Sequence, residues 1–113
     1  MTQLDIKFTA MFHRNFTTLV KTGTYGILLA LKALKLPVNS GVIMPSICCP
    51  SVMTAIQLAG HTPVICDVNQ KNFSMGVEEL KNFYNVTCSA VIAVHAFGRE
   101  CDIAGISRFC KFN

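Results

Sequence analysis

The chain has 113 residues, enough for one domain on the usual scale of about 100–200 residues. Apolar residues make up 51% and charged residues 14%, with mean hydropathy +0.45, which excludes a disordered tail and leaves a domain unusually poor in polar surface. Ten Lys+Arg stand against six Asp+Glu, a net +4 too scattered to form a nucleic-acid footprint.

Residues 1–15 read as an N-terminal segment with no assigned element, and residues 16–113 as the folded part. Phe16–Val20 is a strand candidate, followed by the turn Thr22-Gly23-Thr24. Tyr25 to Leu36 reads as a helix ended by Pro37, apolar nearly all round and therefore expected to be buried on more than one side. Val42–Met44 is a short strand stopped by Pro45, and Pro50 suits the first turn of a helix reaching about Ala59 and closed by Gly60. Thr62–Val68 is an apolar strand containing Asp67. A polar turn region follows, and then a short helix, Val77–Phe83, with Glu78 and Glu79 in its first turn. Ala90–Val94 is a continuous apolar run of the kind buried on both faces of a parallel sheet. Asp102 can cap a last helix running through Lys111. Alternating strands and helices predict an α/β fold with mainly parallel strands.

The most apolar stretch, Ile27–Leu36, is interrupted by Lys32 and Lys35 and falls short of the roughly 20 apolar residues that span a bilayer, so no membrane partner is expected. No signal peptide is visible, which predicts a cytoplasmic protein. The six cysteines form no C-x-x-C pair and sit mostly in apolar runs, so they read as free thiols rather than as disulfides or metal ligands.

Three places could carry chemistry. Thr22-Gly23-Thr24 precedes a helix, whose unpaired N–H groups and positive dipole end attract a phosphate, and Gly23 lets it come close. An N-cap threonine beside a turn glycine is the alternative. Pro45-Ser46-Ile47-Cys48-Cys49-Pro50 leads from a strand into a helix, where a thiol can be nucleophilic or simply buried. His95, in Val94-His95-Ala96-Phe97-Gly98, stands at a third strand end, as a proton-transfer group or as a structural histidine. His13 and His61 read as surface residues.

In this order and spacing, the blocks resemble the DegT/DnrJ/StrS-type aminotransferases. Thr22-Gly-Thr-Tyr-Gly-Ile-Leu-Leu-Ala-Leu31 is similar to that family's phosphate-binding helix start. Val42-Ile-Met-Pro-Ser46, Ala59-Gly-His-Thr-Pro-Val64, Cys66-Asp-Val68 and Ala90-Val-Ile-Ala-Val-His-Ala-Phe-Gly98 follow in register, covering roughly residues 16–112. The resemblance implies part of the large domain of a fold-type-I enzyme that uses pyridoxal phosphate. Such an enzyme aminates nucleotide-linked keto-sugars, takes its amino group from a donor such as glutamate, and works as a homodimer. It implies that Gly23 and Thr24 contact the cofactor phosphate, that Ile47 to Cys49 lie beside the ring with Cys49 where many relatives place an aromatic, and that His95 to Gly98 lie at the bottom of the cleft near the cofactor in a mainly structural role. The lysine that binds the cofactor covalently and the acid facing its pyridine nitrogen would follow residue 113, so the chain is expected to be an N-terminal fragment, inactive alone and prone to expose apolar surface. The alternative is a non-catalytic α/β domain that binds a phosphate-bearing ligand or is completed by a partner. A cysteine-based enzyme, a third reading, lacks both a C-x-x-C pair and a triad.

Overall fold

The computed structural model describes residues 1–113. Its elements are α1 (Gln3–Met11), α2 (Gly23–Ala33), β1 (Gly41–Pro45), α3 (Pro50–Leu58), β2 (Thr62–Cys66), α4 (Val77–Phe83), β3 (Cys88–Val91), a 3-10 turn at Ala96–Gly98 and α5 (Ile103–Phe112). The three strands form one parallel sheet in the order β2-β1-β3.

The central strand β1 is buried along its whole length. Successive strand residues point to opposite faces, and each face has its own core. Val42 and Met44 pack with Leu31 of α2 and with Val52 and Ile56 of α3. Ile43 packs with Cys66, Met75, Leu80 of α4, Cys101 and Ile106 of α5. The sheet is thus covered on both sides, as parallel sheets require. Gly41 begins β1 because a Cβ there would meet Cys88 Sγ at 3.0 Å and Val64 Cγ2 at 3.1 Å.

Local chemistry explains the helix ends. Pro50 occupies the first turn of α3, and Gly60 closes that helix region with φ +88°. Asp102 Oδ1 accepts from Gly105 N at 2.9 Å to start α5. The helices expected around 50–59, 77–83 and 102–111, and the strand at 42–44, are all present.

Other expectations need correction. Phe16–Val20 is not a strand: the segment joins neither open edge of the three-stranded sheet. The helix expected at Tyr25–Leu36 begins at Gly23 and ends at Ala33, and Lys35 turns the chain with φ 50°. Only Leu31 of α2 is buried, since α3 and the sheet cover a single side of it. β2 stops at Cys66, before Asp67 and Val68. The Ala90–Val94 run contributes only its first two residues to β3, which starts at Cys88 and is a half-buried edge strand; the doubly buried strand is β1. His61 is not a free surface group, because its Nδ1 lies 3.3 Å from the Oγ of buried Ser40.

Residues 1–15 contain a helix. Thr2 N donates to Asp5 Oδ2 at 2.7 Å and Asp5 N donates to Thr2 Oγ1 at 3.2 Å, a reciprocal cap that starts α1. No residue of α1 is buried. Across the chain 18 of 113 residues are buried, and Phe16, Val38, Val86, Phe97 and Phe112 are each more than 80% exposed, so the high apolar content lies largely at the surface.

Candidate functional site

After β1 the chain enters α3, on one face of the sheet, whereas after β3 it enters α5, on the other. Two neighbouring parallel strands whose connections leave in opposite directions open a crevice at their carboxyl ends, where ligands of open α/β sheets sit. A cavity of about 370 Å³ lies there. One wall is Ile47, Cys48 and Cys49 from the β1–α3 loop; the other is Val94, His95, Ala96 and Phe97 after β3. The ladder continues past β3, with Ile92 N donating to Ile43 O at 2.8 Å, so the second wall is anchored to β1.

The two thiols of the first wall differ. Cys48 donates to Pro45 O at 3.3 Å, and burial pushes its thiol above the ordinary range. Cys49 is exposed at the N-cap of α3, and Ser51 Oγ donates to its sulfur at 3.0 Å. The Ser51 hydroxyl, helped by the Ser51 backbone N–H, holds the Cys49 thiol below its usual range. In the core, burial pushes Cys66 up to about 11. Iodoacetamide near neutral pH is therefore expected to label Cys49 first and Cys66 last. Ser51→Ala should slow labelling at Cys49 several-fold, because losing the hydroxyl raises that thiol's pKa and shrinks its thiolate fraction. Mass spectrometry of timed digests reads this, and equal rates in the two proteins would refute the role given to Ser51.

In the second wall His95 is exposed, and its Nδ1 accepts from Cys101 N at 3.1 Å. Phe97 and Gly98 both have positive φ, 55° and 73°, which folds the loop back and brings Cys101 to His95.

Gly23 and Thr24 lie outside this cavity, at the N-terminus of α2, the helix packed beside α3. Thr22 caps that helix, its Oγ1 accepting from Tyr25 N at 3.1 Å. The N–H groups of Gly23 and Thr24 have no acceptor within the chain. A Cβ on Gly23 would meet nothing within 4 Å, and its φ is not in the left-handed region, so packing does not require glycine there. Two free N–H groups beside open space suit an anion. The structure thus brings Cys49 and His95 together, and sets Gly23 and Thr24 apart at a neighbouring helix start. Phe97, a lining residue, belongs to the Val94–Gly98 block named from the sequence, but its left-handed backbone leaves no mark there.

A larger depression of about 640 Å³ lies beyond β2, lined by Asp67, Asn69, Lys71 and Glu79 among others. Its two carboxylates, Asp67 and Glu79, oppose a phosphate, so the crevice is the better candidate.

An α/β sheet with a ligand crevice at the carboxyl ends of its strands is the scaffold of the fold-type-I aminotransferases, and solved members superpose on it. NtdA from Bacillus subtilis with bound PMP matches with a TM-score of 0.92 at 22% identity, over 97% of this chain and 25% of that one. The chain belongs to the DegT/DnrJ/EryC1/StrS aminotransferase family, whose family model matches residues 1–112. That match extends to the segment carrying α1, beyond the blocks that carried the resemblance. GDP-perosamine synthase of Escherichia coli O157:H7 is 30% identical over 109 residues. The UDP-N-acetyl-3-dehydro-alpha-D-glucosamine 3-aminotransferase of Acidithiobacillus ferrooxidans is 31% identical over 85 residues, which are 75% of this chain and 23% of that protein. The chain matches over 96% of its own length and spans about 30% of the length of GDP-perosamine synthase. Pyridoxal phosphate is the cofactor of the family. No helix is long and apolar enough to cross a membrane.

Proposed function

We propose that this chain supplies the phosphate- and ring-contacting part of a pyridoxal phosphate site in a nucleotide-sugar aminotransferase. The observation that carries the reading is the start of α2, with free Gly23 and Thr24 N–H groups and open space where a side chain would stand. These groups hold the cofactor phosphate with the help of the helix dipole. Cys49 and His95 flank the ring. When bound, the cofactor accepts an amino group from a donor such as glutamate and delivers it to a nucleotide-linked keto-sugar, the substrate class suggested by the names of the relatives. The working assembly is a homodimer in the cytoplasm.

No lysine and no carboxylate line the crevice, so these 113 residues bind without turning substrate over. The same observation favours a second reading, a phosphate-ligand-binding domain completed by a partner that brings both groups.

Titration with pyridoxamine 5′-phosphate tests the cofactor reading, because this amine cannot form adventitious imines with surface lysines. Saturable binding relieved by inorganic phosphate is expected, with no amination of a keto-sugar nucleotide in the presence of glutamate. Absence of saturable binding would overturn the cofactor reading. Turnover by the chain alone would overturn its assignment as a partial site.

A further inference from the structure

His95 has a feature that its place in the crevice wall alone does not explain. A backbone N–H can only donate, so the bond from Cys101 N requires a bare lone pair on Nδ1. A neutral imidazole then carries its proton on Nε2. That nitrogen has no partner within the chain, and His95 is exposed and lines the cavity. Cys101 itself is 5% exposed, packed with Ile43 and Ile106 beneath β1. The ring is therefore tied to the core through one amide, and the loop that brings this amide into reach is closed by the left-handed pair Phe97 and Gly98.

We propose that His95 is a hydrogen-bond donor of fixed tautomer, presenting Nε2–H to an acceptor oxygen on the ring of the bound cofactor, with the Cys101 amide as the positioning group. The role rests on the cofactor reading above and goes beyond it, since it names the atom, its protonation and what holds it. A merely structural histidine would need only the Cys101 bond.

Two variants separate the roles. His95→Asn can keep an oxygen acceptor where Nδ1 stood and lacks the distal N–H. His95→Gln can restore an N–H near Nε2 while leaving Cys101 N without its acceptor. Long-range proton–nitrogen NMR of the unaltered chain should show His95 as a single Nε2–H tautomer; an Nδ1–H form, or the mixture of an unfolded chain, overturns the lock. In pyridoxamine 5′-phosphate titrations His95→Asn should bind about tenfold more weakly, the scale of one lost hydrogen bond, with Cys101 amide exchange unchanged. His95→Gln should instead speed exchange at Cys101 and keep part of the affinity. Equal affinity of His95→Asn and the unaltered chain overturns the donor role and leaves the cofactor reading standing. No binding by the unaltered chain overturns the cofactor reading, and with it the role given to Nε2–H.

Discussion

Replacing Gly23 with alanine should make the chain more stable and worse at binding. A Cβ there meets nothing within 4 Å and the backbone is not left-handed, so the substitution is free of strain. Restricting the unfolded chain then stabilises by about 0.5 kcal/mol. The same methyl group enters the space where a phosphate would approach the N–H groups of Gly23 and Thr24, and affinity for pyridoxamine 5′-phosphate should fall by about tenfold or more, roughly 1.4 kcal/mol. Urea unfolding and ligand titration of one protein pair measure both effects. Undiminished affinity would mean that the start of α2 is not the phosphate site.

The second expectation concerns stability alone. Ile43→Ala should destabilise by about 2–5 kcal/mol, the usual range for emptying a buried aliphatic site. Ile43 is fully buried on the central strand and packs against Cys66, Met75, Leu80, Cys101 and Ile106. A domain's whole stability is about 5–15 kcal/mol, so this one change removes a large share of it. Ile65→Ala is the control, because Ile65 is 47% exposed on edge strand β2. The urea midpoint should drop far more for Ile43 than for Ile65, and comparable losses would contradict the placement of the core.

What could be read from the sequence follows from how local each signal is. Pro50 and Gly60 mark the ends of α3 by their own backbone chemistry, and Asp102 marks the start of α5 three residues ahead of the amide it caps. The cap that starts α1 is equally local, and Thr2 with Asp5 three positions on could have revealed that helix. Strands are harder, because they exist only through partners. Phe16-Thr-Thr-Leu-Val20 has strand-like composition yet joins no strand of the sheet, while Ala90–Val94 looks central and forms an edge because β1 lies in the middle. The two crevice walls were legible as strand ends, the usual location of ligands in such sheets. The Cys101–His95 bond was not, since it depends on two consecutive left-handed residues, one of them a phenylalanine.

The register of β1 has a consequence for the order of events during synthesis. β1 pairs first with a strand beginning at Thr62 and then with one beginning at Cys88, so half of its hydrogen-bonding capacity stays open until the later strand leaves the ribosome. The face that needs α5 closes later still, and Cys101, the residue that orients His95, belongs to that face. The ligand crevice is therefore completed only after β1 has paired with β2. A nascent chain carrying only β1, α3 and β2 already has the first wall with Cys49, and has nothing opposite it.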